Sequence, residues 1–165
     1  MTKPIADVAV IGAGGLGAPV LQYLVAAGVG TIGIIDGDVV SESNLQRQVI
    51  FDTTDLKKSK VEAARDRLMK QNPLINIVAH NTFLTTENTL DILGEYDLVI
   101  DGTDNFQTRY LVGDATSILK KPLVFGSIFK FEGQVSVFNM EDGPGYRCLY
   151  PDPPAPEEVP NCSEV

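Results

Sequence analysis

The stretch DVAVIGAGGLG, residues 7–17, decides the fold. Its first half is a short apolar, β-branched run, the pattern of a strand buried on both faces of a parallel sheet. Its second half, Gly12-Ala13-Gly14-Gly15-Leu16-Gly17, matches G-x-G-x-x-G. Glycines at that spacing permit a tight turn and let phosphate oxygens approach backbone N–H groups where a helix begins. A helix is expected over 16–27, with Pro19 in its first turn, where a missing N–H costs little, and with Gly28 and Gly30 ending it. TIGIID, 31–36, is a second strand. Its last residue, Asp36, stands 19 residues after Gly17, where a carboxylate can accept from ribose hydroxyls. Together these features predict nucleotide binding at Gly12, Gly14, Gly15, Gly17 and Asp36. The competing reading is a structural glycine turn with Asp36 as a cap.

The alternation continues outward from this unit. Val61, Ala64 and Leu68 have helical spacing and give a helix over 57–71, ending before Asn72-Pro73. INIVAH (75–80) is a third strand and 86–93 a short helix capped by Thr85 or Thr86. YDLVIDGTD (96–104) is a fourth strand, 106–119 a helix and PLVFGS (122–127) a fifth strand. GQVSVFN (133–139) alternates instead of following a crossover helix, which predicts an antiparallel strand. The stretch 151–160 holds five prolines and several acids and is expected to be an extended loop. The fold expected is α/β: a doubly wound, Rossmann-like, mainly parallel sheet with helices on both faces and an antiparallel extension near the C-terminus. Ligands in such a sheet bind at the carboxyl ends of the strands.

Composition narrows the function. The 165 residues, 44% hydrophobic and 21% charged, suit a single globular domain over 1–165. A net charge of −9 without a basic cluster argues against nucleic acid and anionic membranes as partners. The apolar runs are too short to span a bilayer. Lys3-Pro4 leads directly into a strand-like run, which is no signal-peptide pattern. Two cysteines, Cys148 and Cys162, build no disulfide framework, so a cytoplasmic setting is expected. His80, the sole histidine, lies far in sequence from every motif and reads as a packed or surface residue.

SESNLQRQ (41–48) carries the functional argument. A generic dinucleotide site needs glycines and one acid. It has no need of Asn44, Gln46, Arg47 and Gln48 crowded just beyond that acid, and such polar density at a strand end suggests chemistry on phosphates. An NAD(P)-dependent oxidoreductase would leave this cluster, Lys60 and Asp104-Asn105 without a job. A non-catalytic nucleotide-binding or partner-docking module is the third possibility.

The Gly12–Gly17 loop, IIDGDVVSESNLQRQ (34–48), KSKVEAARDRL (58–68), DLVIDGTDNFQTRY (97–110) and EGQVSVF (132–138) together resemble the ThiF/MoeB/HesA adenylyltransferases, relatives of the ubiquitin-activating enzymes. The resemblance implies ATP-dependent adenylation of the C-terminal glycine of a ubiquitin-fold sulfur carrier ending in Gly-Gly, of the thiamine or molybdopterin type, with release of pyrophosphate. It also implies a homodimer in the full-length form. In that reaction, donors and Mg²⁺ aimed at the phosphate oxygens lower the barrier. Arg47 supplies a planar fork and Asn44 a neutral donor. By resemblance, Lys60, rather than Lys57 or Lys58, is the phosphate ligand. Ser43, Leu45, Gln46 and Asn105 complete the nucleotide-binding set, and Asp104 is the Mg²⁺ ligand. For Asp104 the competing role is helix capping, whereas Asp101 reads as a buried carboxylate that orders the loop. Arg109 reads either as a residue behind the site or as half of a helix-surface pair. Cys162 matches a cysteine that in some relatives bonds covalently to the carrier, yet Glu157, Glu158 and Glu164 would raise its pKa, and a plain loop cysteine is the other reading. Relatives often hold zinc with a C-x-x-C pair. Here the text is Gly145-Tyr146-Arg147-Cys148, so no zinc is expected. The resemblance further implies an N-terminal helix and a C-terminal portion that these residues do not contain.

Overall fold

The computed structural model describes residues 6–154. Along the chain come β1 (Asp7–Ile11), α1 (Gly17–Ala27), β2 (Thr31–Ile35), α2 (Lys60–Gln71), β3 (Asn76–His80), α3 (Thr89–Gly94), β4 (Leu98–Asp101), α4 (Phe106–Leu119), β5 (Leu123–Phe129), β6 (Glu132–Phe138) and the short α5 (Tyr146–Leu149). The strands form one sheet in the order β3-β2-β1-β4-β5-β6. All neighbours are parallel except β5 and β6, which pair antiparallel from Leu123↔Phe138 to Phe129↔Glu132. The order reverses between β1 and β4, and such a switch point opens a crevice at the carboxyl ends of both strands.

Alternate residues of each strand feed opposite faces of the sheet. Val8, Val10, Ile32 and Ile34 pack against Leu21 and Val25 of α1 and Val61, Ala64 and Leu68 of α2. Ala9, Ile11, Ile35 and Val99 pack on the other face with Leu93 of α3 and Tyr110, Val112 and Ala115 of α4. Continuous apolar strands were therefore the right signature, because both faces are covered. Burying one such Leu or Ile contributes about 1.5–3 kcal/mol, and the largest fully buried chains, Tyr146 and Phe125 on one face and Leu21 and Ile32 on the other, lie on both sides of the sheet. Among the described residues no helix is long and apolar enough to cross a membrane.

The doubly wound sheet and its antiparallel strand match the expectation from sequence, while several boundaries move. The second long helix begins at Lys60, not at residue 57. Lys57 has φ 68° and bonds across to Val40, which places 57–59 in a turn. The fourth strand stops at Asp101, where the Thr103 N–H turns back onto the Asp101 carboxylate. α3 starts at Thr89, because residues 85–88 form their own turn in which Asn88 Oδ1 accepts from the Thr85 N–H. β5 and β6 run on to a tight hairpin in which Lys130 takes φ 53°. Short 3-10 turns at Glu42–Asn44 and Thr53–Asp55, and α5, had no periodic signal long enough to find.

Candidate active site

The glycine turn is a backbone-on-backbone contact. Gly12 has φ 89° and donates its N–H to the Ile35 carbonyl at 2.8 Å. α1 starts so close behind it that a Cβ on Gly17 would lie 1.8 Å from the Gly12 carbonyl oxygen. Asp36 then ties the turn to the end of β2: its Oδ2 accepts from the Ala13 N–H at 2.8 Å and its Oδ1 from the Asp38 N–H at 2.9 Å. The carboxylate orders the loop and also lines the cavity beside it.

Beyond Asp36 the chain pairs with the segment leading into α2. Val40 N–H donates to the Lys58 carbonyl, Lys57 N–H to Val40 and Lys60 N–H to Asp38, at 2.9–3.0 Å. This ladder brings Lys60 to the cavity wall. Lys60 is only 5% exposed, and its Nζ donates to Asp38 Oδ2 at 2.9 Å. A buried ammonium needs a nearby acid, and Asp38 supplies it. Lys57 and Lys58 are exposed and do not line the cavity; Lys58 pairs with Asp55 at 3.0 Å.

The polar bend packs over the glycines. Asn44 Oδ1 accepts from the Ser41 hydroxyl at 2.8 Å, while its carbonyl accepts from the N–H groups of Arg47 and Gln48. Arg47 is exposed, and its stem lies against Gly15, 3.6 Å from where a Cβ would stand. Its Nη1 donates only to the Ser43 carbonyl, at 3.3 Å, so most of the guanidinium fork is uncommitted. Asn44, Gln46, Arg47 and Gln48 line the cavity. Ser43 and Leu45 do not: Ser43 holds Arg47 through its carbonyl, and Leu45 packs against the core.

The turn after β4 forms the opposite wall. Asp101 is 1% exposed; burial pushes its carboxyl upward from the ordinary carboxylate range, and the Thr103 bonds oppose that push. Asn105, not Asp104, caps α4, accepting from the Thr108 N–H at 2.8 Å. That leaves Asp104 exposed, on the cavity wall, with no hydrogen bond or ion pair to any described residue. One uncommitted carboxylate on the cavity wall fits Mg²⁺, which takes one or two carboxylates and fills its other positions with phosphate oxygens and water. Among the described residues no group of three or more His, Cys, Asp or Glu could hold a metal ion.

These walls enclose a cavity of about 720 Å³ with Ile11, Ile35, Phe83, Leu84 and Ile128 as its apolar side. That size lies within the range of roughly 300–1,000 Å³ usual for small-molecule sites. Sequence reasoning missed Phe83, Asp38 and the lining role of Arg109. Phe83 carries no motif; it reaches the cavity because β3 runs parallel beside β2, and a Cβ on Gly37 would lie 2.6 Å from its ring.

Cys148 is exposed in a separate depression beside Arg147 and Asp114. Cys162 lies outside the described residues. His80 packs away from the cavity, with Nε2 2.7 Å from the Tyr96 hydroxyl. Burial pulls its pKa below the ordinary value of 6.5, against a smaller upward pull from Glu95. The folded state therefore disfavours the imidazolium, and stability contributed by the neutral ring is lost as pH falls from 6.5 through the folded pKa. An NMR titration of this sole histidine should give a midpoint under 6.5; a midpoint at or above that value would contradict the packing described.

A crevice at the switch point of a Rossmann-like sheet, with a glycine turn on one side and an arginine, a lysine and a free carboxylate around it, places the chain in the doubly wound α/β class. The ThiF family model matches residues 5–165, and the chain belongs to the ThiF family. It is 56% identical over 165 residues to the sulfur carrier protein adenylyltransferase of Thermus thermophilus, covering 97% of this chain and 61% of that protein. It is 58% identical to the probable adenylyltransferase/sulfurtransferase MoeZ of Mycobacterium tuberculosis, covering 96% of this chain and 42% of MoeZ. The chain thus spans about two fifths to three fifths of the length of these relatives. Among solved structures, E. coli MccB with ATP superimposes with a TM-score of 0.82 at 25% identity, covering 90% of this chain and 45% of that one. E. coli TcdA in complex with AMP gives 0.71 at 27% identity, covering 76% and 54%.

Proposed function

We propose that this chain is the nucleotide-binding part of an adenylyltransferase that activates the C-terminal carboxylate of a ubiquitin-fold sulfur carrier ending in Gly-Gly. A carboxylate oxygen of the carrier attacks the α-phosphorus of ATP. The bond from that phosphorus to the bridging oxygen breaks, pyrophosphate departs with the electron pair, and a carrier acyl-adenylate forms. The observation that carries the reading is the convergence of Gly14–Gly15, the uncommitted Arg47 fork, Lys60 and free Asp104 on one cavity.

Each residue then has a role that its environment supports. The glycine turn receives phosphate oxygens on backbone N–H groups at the start of α1. Arg47 bonds phosphate oxygens as charge builds on them, and Lys60 adds a point charge held in place by Asp38. Asn44 orders the bend that aims Arg47. Asp36 receives the ribose, with Phe83 and Leu84 beside the base. Asp104 would hold Mg²⁺, which supplies charge neutralisation on the phosphates. Gln46 and Asn105 shape the rim. Cys162 is the residue that a later covalent step would use. Thiamine-type and molybdopterin-type carriers both satisfy this chemistry, a homodimer would complete the site, and the reducing cytosol is its setting.

ATP–pyrophosphate exchange in the full encoded protein is expected only in the presence of a diglycine-ended carrier. Nucleotide binding without exchange would leave a docking module, and a nicotinamide-dependent absorbance change would leave an oxidoreductase. Asp104→Asn should raise the Mg²⁺ concentration needed for half-maximal exchange about tenfold or more. An unaltered metal titration would remove Asp104 from the metal.

A further inference from the structure

Thr103, the residue just before Asp104, is gripped at every polar atom it has. Its N–H and its hydroxyl both donate to Asp101 Oδ1, at 2.9 and 2.7 Å, and its carbonyl accepts from Arg109 Nε at 3.2 Å and Nη2 at 2.8 Å. Arg109 is 8% exposed, and its guanidinium carbon lies 5.1 Å from the Phe106 ring centre and 5.4 Å from that of Phe125. Aromatic faces at that range attract a cation. Burying a guanidinium is costly unless something compensates, and α4 does not need it as a cap, because Asn105 already serves. No ion pair joins Asp101 and Arg109 among the described residues. Both grip Thr103, Asp101 at its N–H and hydroxyl and Arg109 at its carbonyl, while the Arg109 charge also acts on the Asp101 carboxyl through space.

We infer that Arg109 is a positioning residue: with Asp101 it fixes the backbone on both sides of Thr103 so that the Asp104 carboxylate is presented to the metal–triphosphate. This rests on the reading of Asp104 given above. A guanidinium suits the task because two of its N–H groups converge on one carbonyl, which fixes a plane. An ammonium is a single point charge and leaves the carbonyl free to rotate. Residues standing behind a metal ligand commonly act this way, orienting it without touching the ion.

The test is Mn²⁺ binding, read by electron paramagnetic resonance, to the full encoded protein saturated with a non-hydrolysable ATP analogue. Analogue affinity without metal is measured alongside. Arg109→Lys keeps the charge and loses the fork, and Thr103→Val loses the hydroxyl donor to Asp101 while keeping the backbone one. Each should weaken Mn²⁺ binding about tenfold while metal-free analogue affinity stays within about twofold. Thr103→Ser, which keeps the hydroxyl, should bring Mn²⁺ affinity back toward that of the natural chain. A merely destabilised protein would lose bound fraction without moving the Mn²⁺ midpoint. If Asp104→Asn shifts the midpoint and Arg109→Lys does not, the positioning role is overturned and the Asp104 reading stands. If Asp104→Asn leaves the midpoint in place, the Asp104 reading fails and this inference with it. A fall in metal-free affinity for Arg109→Lys would make Arg109 a direct nucleotide ligand and overturn the inference.

Discussion

Arg47→Ala should lower carrier-dependent ATP–pyrophosphate exchange by about 10²-fold or more, the scale expected when one preorganised transition-state donor is removed. The side chain has little structural work to lose. It is exposed, its only hydrogen bond within the described protein is a 3.3 Å contact with the Ser43 carbonyl, and its stem rests on a glycine. Folding stability should therefore change little, and the loss should fall on kcat more than on the KM for ATP, because phosphate charge grows during the reaction. Arg47→Lys should recover only part of the rate, since an ammonium cannot reproduce the planar fork. Exchange equal to that of the natural protein in Arg47→Ala would take Arg47 out of the mechanism.

Gly17→Ala should be the most damaging single-methyl change in the glycine turn. Its new Cβ would stand 1.8 Å from the Gly12 oxygen and 2.8 Å from the Gly12 carbonyl carbon, and both are backbone atoms that no rotamer change can move aside. The start of α1 would have to withdraw from β1, and the turn between them carries the N–H groups proposed to receive phosphate. A loss of about 3 kcal/mol or more is expected, at the upper end for inserting a methyl into a close-packed contact, together with loss of nucleotide binding. Urea unfolding reads the first and nucleotide titration the second. Gly94→Ala, with nothing within 4 Å of the new methyl, is the control. An unfolding midpoint for Gly17→Ala that matches the control would contradict the close approach.

Much of the fold was legible because its signals are local. The β-branched runs at 8–11 and 32–35 are buried on both faces, and the alternation in 133–139 marks the antiparallel strand. The glycine spacing located the turn because only a missing side chain allows Gly17 against Gly12. What was not legible depends on distant partners. Lys57 has good helix propensity, yet the ladder with Val40 holds it at positive φ and delays the helix to Lys60. Leu45 sits within the polar motif but packs into the core, a matter of which way the 3-10 turn rotates. Arg109 shares the buried side of α4 with Val112, Gly113 and Thr116, three, four and seven residues on, but its charge left a helix-surface pair an equal reading. Its burial follows from Phe125 arriving on β5, sixteen residues later, which no local pattern announces.

The most direct measurement is a crystal structure with a non-hydrolysable ATP analogue and Mg²⁺. The account predicts the triphosphate across Gly14 and Gly15 with its oxygens on Arg47 and Lys60, the metal on Asp104, and the base beside Phe83. A triphosphate pointing away from Arg47, or a nicotinamide ring bound in the crevice under the same conditions, would contradict it.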